Sequence, residues 1–124
     1  LSGELSLKKA ANKILTMGPK YLIIKKGEHG ALLFDKNNHV FSAPALLLEE
    51  VFDPTGAGDT FAGGFMGYLS AQDEINWDTM KKAIIAGSAM ASFTVEKFGI
   101  ERLENLSKSE IDTRINQFRE MTFF

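Results

Sequence analysis

Asp53-Pro54-Thr55-Gly56-Ala57-Gly58-Asp59-Thr60-Phe61-Ala62-Gly63-Gly64-Phe65 is the segment of this 124-residue chain on which the reading of the fold turns. Val51-Phe52-Asp53 ends a strand, a Gly-rich turn follows, and helical periodicity begins near Gly58. Gly56 and Gly58 carry no Cβ to obstruct a ligand and tolerate φ > 0. Their N–H groups, with that of Ala57, face whatever lies in front of the helix, where the helix dipole adds positive potential. Such a nest suits a phosphoryl group whose charge must be held during transfer. Asp59 falls in the first turn, where the dipole favours a carboxylate and where it can accept a proton from an attacking hydroxyl. The same residues also read as a capped helix after a tight turn, without any ligand. No Gly-Lys-Ser/Thr follows, so this is not a Walker A loop.

Downstream, Phe61, Ala62, Phe65, Met66 and Leu69 share a helical face. Gly63-Gly64 inside that helix costs roughly 1 kcal/mol per residue relative to Ala, which close packing against a neighbouring backbone or a ligand would explain. Residues 76–97 form a long helix with Trp77, Met80, Ile84, Ser88, Ala91 and Val95 on one face, and its small-residue middle, Ala83 to Ala91, should be buried. Phe98-Gly99 ends it. Ser107-Lys108-Ser109-Glu110 is a capping box opening a last helix whose apolar face is Ile111, Ile115 and Phe118.

Upstream, Ser6 caps a helix with Leu7, Ala10, Ala11, Ile14 and Leu15 at helical spacing, stopped by Gly18-Pro19. Tyr21 to Ile24 reads as an interior strand buried on both faces. Gly27 to Gly30 turns the chain into a strand over Ala31 to Phe34. Asp35 to Asn38 is a hairpin turn, and His39 to Ala43 a third strand. Leu46 to Glu50 has no clear pattern. Strands alternating with helices indicate an α/β layer fold.

Composition narrows the function classes. The apolar share is 44%, the charged share 24% and the net charge −2, which gives no electrostatic footprint for nucleic acid. The absence of cysteine excludes disulfides, thiolate catalysis and cysteine-ligated metal, and is compatible with a reducing cytoplasm. The apolar stretches fall short of the ~20 residues of a membrane span. The sequence begins at Leu1 and enters a helical pattern almost at once, which raises the expectation of a piece of a longer protein; a processed N-terminus is the alternative.

Residues 53–65 resemble the C-terminal signature of the ribokinase-like, or PfkB-type, carbohydrate and nucleoside kinases, Asp-Thr-x-Gly-Ala-Gly-Asp followed by Thr/Ser-Phe-x-Gly-Gly, with Pro54 in place of the usual Thr. Residues 21–34 resemble that family's strand, Thr-x-Gly-x-x-Gly turn and strand, with Gly27 and Gly30 matching and Lys25 standing where Thr is usual. Residues 84–99 resemble its small-residue helix and following Gly. The resemblance implies the C-terminal portion of a three-layer ribokinase-like fold over residues 1–124, a parallel sheet with helices on both faces plus a β-hairpin, lacking the N-terminal substrate and lid part. It implies ATP-dependent transfer of a phosphoryl group to a hydroxyl of a small sugar or nucleoside. Asp59 would be the general base, and the amides of Gly56, Ala57 and Gly58 the anion hole. Lys25, Gly27, Gly30, Thr55, Ala86, Gly87 and Ser88 would lie along the nucleotide. Mg²⁺ would travel with ATP, and a K⁺ site would involve Asp53, Thr55 and Gly99. A cytoplasmic location, and a homodimer of the full-length protein, are the further expectations; the isolated piece should be inactive. A non-catalytic nucleotide-binding or regulatory module of the same fold is the competing reading.

The remaining polar residues offer less. His29 and His39 have no second ligand at metal spacing and read as surface residues. Lys8-Lys9 and Lys81-Lys82 read as solvated faces, and Phe61 and Phe65 as core.

Overall fold

The computed structural model describes residues 7–26, 30–45, 57–94 and 107–122. Helix α1 spans Leu7–Leu15; strands β1, β2 and β3 span Tyr21–Lys25, Ala31–Asp35 and Val40–Ala43; helices α2, α3 and α4 span Ala57–Ser70, Trp77–Thr94 and Lys108–Thr122. The strands form one sheet in the order β1-β2-β3. Both pairings are antiparallel, with Ile23 opposite Leu33 and Leu33 opposite Phe41. The expected parallel pairing is thus not formed among the described residues, and the expected strand at Val51 to Asp53 lies outside them. The hairpin expected from Ala31 to Ala43 is present as β2 and β3.

Strand alternation distributes the apolar residues to two faces. Leu22, Ile24, Leu32 and Phe34 meet Ala11 and Leu15 of α1. Tyr21, Ile23, Ala31, Leu33, Phe41 and Ala43 meet Leu69 of α2 and Met80, Ala83 and Ile84 of α3. Helices therefore cover both faces, giving the three layers anticipated, and this explains why β1 and β2 read as continuous apolar runs. The most buried strand is β2, in which Leu33 has no exposure, whereas β1 is half-buried from Tyr21 to Ile24 and pairs only with β2 among the described residues.

Two helix starts are capped through side chains. Ser107 Oγ accepts from the Glu110 amide at 3.1 Å while Glu110 Oε1 accepts from the Ser107 amide at 3.4 Å, completing the expected capping box. Ahead of α3, Asn76 Oδ1 accepts from the Thr79 amide and Thr79 Oγ1 from the Asn76 amide, both at 2.9 Å. α4 is held to α3 by Arg114, whose guanidinium lies 4.0 Å from the Phe93 ring centre and donates to Ser92 Oγ at 2.7 Å.

α2 and α3 cross through glycines. A Cβ on Gly64 would stand 2.9 Å from Met90 Cγ, 3.1 Å from Ala86 O and 3.1 Å from Gly87 Cα. One on Gly63 would meet nothing within 4 Å. Of the two interior glycines, Gly64 is thus the one set in close backbone approach to α3. The buried stripe of α2 is correspondingly narrower than its periodicity suggests: Ala62 is exposed and Met66 is 60% exposed, while Phe61, Phe65 and Tyr68 pack on the core.

Candidate functional site

The site is built at the start of α2, which begins at Ala57 and carries Asp59 as the acidic residue of its first turn. Gly58 and Asp59 are exposed. Beside them stands Lys25, the last residue of β1. Alternation places Lys25 on the same sheet face as Tyr21 and Ile23, the face covered by α2 and α3. Its Nζ lies 5.0 Å from the centre of the Phe61 ring, and a Cβ on Gly58 would come within 3.2 Å of it. The absence of a side chain at Gly58 therefore leaves the ammonium room against the helix start. No ion pair of Lys25 with a carboxylate occurs among the described residues.

Lys26 and Gly30 are joined directly between the end of β1 and the start of β2. The Lys26 amide donates to Gly30 O at 2.7 Å. Gly30 has φ 92°, in the left-handed region, and a Cβ there would collide with Ala43 O. Any other residue at position 30 would force the start of β2 away from the end of β3. Gly30 thus occupies a structural position at the entry into β2. Gly27 lies outside the described residues, as do Asp53, Thr55, Gly56 and Gly99.

On α3, Ala86 and Ser88 are half-buried and Gly87 is buried. Gly87 faces Phe61: a Cβ on it would stand 2.7 Å from Phe61 O and 3.1 Å from Phe61 Cδ2. Its observed place is a packing position beneath the ring that carries Lys25. Phe61, read from the sequence as core, is thus also a neighbour of the candidate site. Spacing could not show this, because the three residues come from three separate elements.

Away from this site, the hairpin turn carries a polar cluster. Asp35, 6% exposed, accepts at Oδ1 from the amides of Asn37 and His39, both at 2.9 Å, and at Oδ2 from His39 Nδ1 at 2.8 Å. The His39 ring lies 5.2 Å from that of Trp77. Burial pushes the Asp35 carboxyl up, but the hydrogen bonds from His39 and Asn37 outweigh it and hold it below its ordinary range. A hollow of about 320 Å³ lined by Asn12, Leu15, Thr16, Lys36 and Asn38 lies on the α1 side of the sheet and includes none of the expected site residues. Among the described residues no group of three His, Asp or Glu side chains could hold a metal ion, and no helix is long and apolar enough to cross a membrane.

Comparison with known proteins places this arrangement. The family model described as pfkB family carbohydrate kinase matches residues 3–105. A cytidine kinase of Thermococcus kodakarensis is 42% identical over 66 residues, 53% of this chain and 24% of that protein. A ribokinase of Staphylococcus aureus is 32% identical over 103 residues, 82% of this chain and 31% of that protein. Among solved structures, the aminoimidazole riboside kinase from Salmonella enterica, complexed with aminoimidazole riboside and an ATP analog, superposes with a TM-score of 0.74 at 29% identity. That match covers 93% of this chain and 38% of the solved one. The chain spans about a quarter to a third of the length of these curated relatives. The two-faced α/β sheet, the Gly-rich entry into α2 and the matched span agree: the chain belongs to the pfkB family of carbohydrate kinases and has part of the ribokinase-like fold.

Proposed function

We propose that this chain supplies the phosphoryl-transfer portion of a kinase that moves the γ-phosphoryl group of ATP to a hydroxyl of a sugar or nucleoside. The observation that carries the reading is the start of α2, where the side-chain-free Gly58 leaves room for the Lys25 ammonium and Asp59 stands in the first turn of the helix. The relatives are kinases of sugars and nucleosides, and one was solved with an ATP analog, which supports nucleotide use.

In this scheme the amides of Gly56, Ala57 and Gly58 hold the charge on the transferring group, aided by the helix dipole. The acceptor hydroxyl attacks the γ-phosphorus as Asp59 takes its proton; the new O–P bond forms, the bond to the β-phosphate oxygen breaks, and ADP leaves with that electron pair. Gly27, Gly30 and Thr55 line the nucleotide, and Ala86 and Ser88 flank its base. Gly87 contributes from beneath, through Phe61. Mg²⁺ carried by the nucleotide would neutralise phosphate charge. Asp53, Thr55 and Gly99 would hold a monovalent cation.

The test uses a protein extended to the length of its relatives. Asp59→Asn should lower kcat about 10²-fold or more, the usual scale for a lost general base, with little change in ATP affinity. Near-wild-type turnover would remove Asp59 from the mechanism. Nucleotide binding without any turnover in the unmutated protein would favour a non-catalytic module.

A further inference from the structure

Phe61 is fixed on two sides. Beneath it, buried Gly87 admits the ring and carbonyl so closely that a Cβ would stand 2.7 Å from the carbonyl oxygen and 3.2 Å from Cε2. Alongside, the Phe65 ring runs nearly parallel, 13° away in plane with centroids 6.1 Å apart. The open side of Phe61 carries the Lys25 ammonium at 5.0 Å. Lys25 itself is exposed, and no carboxylate ion-pairs with it among the described residues.

Electrostatics alone would not choose this location. An ammonium at the start of a helix faces the positive end of the dipole, and a long lysine stem can easily swing its head into water. The aromatic face supplies the compensating attraction and limits the swing. The result is a cation held over the helix start with no carboxylate of the described residues paired to it, where an added anion would complete the charge balance.

We propose that Phe61 is a positioning residue, seated by Gly87, that holds the Lys25 ammonium over the start of α2 so that Lys25 pairs with a phosphate oxygen of the nucleoside triphosphate. The inference rests on the proposed reading of this helix start as the phosphoryl site. It assigns a role to a lysine that departs from the family pattern, and to an aromatic residue that touches no substrate. A compact ammonium with three donors can follow the phosphate oxygens without a fixed fork geometry, which suits a group whose charge shifts during transfer.

Calorimetric titration of the 124-residue chain with inorganic triphosphate, and with ATP, tests it. K25M should weaken triphosphate binding about tenfold, the scale of a lost charge-assisted hydrogen bond. F61L should weaken it about threefold, the scale of an exposed cation–π contact, and F61Y should restore it. In the K25M background F61L should have no further effect. That non-additivity separates positioning from general structural support, which would weaken binding equally in both backgrounds. F61M replaces F61L in the cycle if the leucine variant does not fold. Equal loss in the two backgrounds, or a silent K25M in a wild-type chain that binds, overturns this inference and leaves the phosphoryl-site reading standing. No binding of either probe by the wild-type chain overturns both.

Discussion

Gly63 and Gly64 are neighbours on one helix, and alanine should affect them oppositely. Both substitutions remove the same conformational freedom from the unfolded chain and gain the same helix propensity, about 1 kcal/mol. At Gly63 nothing opposes this gain, because a Cβ there meets no atom within 4 Å. At Gly64 the methyl meets Met90 Cγ at 2.9 Å and, at 3.1 Å each, Ala86 O and Gly87 Cα. Met90 can rotate away, but the two backbone atoms yield only if α3 shifts as a whole. Overpacking of this kind costs about 1–3 kcal/mol. Gly63→Ala should therefore stabilise by about 1 kcal/mol, and Gly64→Ala should range from neutral to about 2 kcal/mol destabilised. The difference between them, about 1–3 kcal/mol, is free of the propensity term, which cancels. Urea unfolding followed by circular dichroism, with unchanged m-values, measures it. Equal shifts of the same sign would refute the backbone contact between α2 and α3.

The Asp35 cluster predicts a pH dependence. The folded carboxyl lies below its ordinary value of 3.8, so the stability it contributes is complete above that value and is lost as pH falls through the folded value. His39→Ala should cost about 1 kcal/mol near pH 6, discounted for the half-exposed imidazole, and the gap from wild type should narrow in urea melts below about pH 4. A gap that stays constant with pH would assign the contribution to the Trp77 ring contact instead. The 124-residue chain alone should release no ADP in response to sugars or nucleosides yet bind ATP weakly; robust sugar-dependent release in a coupled assay would place a complete substrate site within it.

Much of this protein was legible in local signals. Gly18-Pro19, the Asp35 to Asn38 turn and the Ser107–Glu110 box act within a few residues of themselves, and the structure shows each as read. The start of α2 and its first-turn carboxylate were recognisable for the same reason, because both are properties of consecutive residues. Short apolar strands showed that both sheet faces are covered, although not which strand is central, and the sense of strand pairing was not written in them.

Tertiary structure decided the contacts between segments. Helical period grouped Ala62 and Met66 with Phe61 and Phe65, but the crossing with α3 left the first two in solvent. It also set Gly64 tight against α3 and left Gly63 open, a distinction that two identical residues in sequence cannot carry. His39 is exposed, as its sequence position suggested, but the fold of the turn also gives it Asp35 and Trp77 as partners. Lys25, Phe61 and Gly87 lie on a strand and two helices, each apolar or charged for reasons evident locally. Only the packing of α2 and α3 on one sheet face stacks them, because close approach depends on where backbones cross, and crossing geometry is a property of the assembled layers.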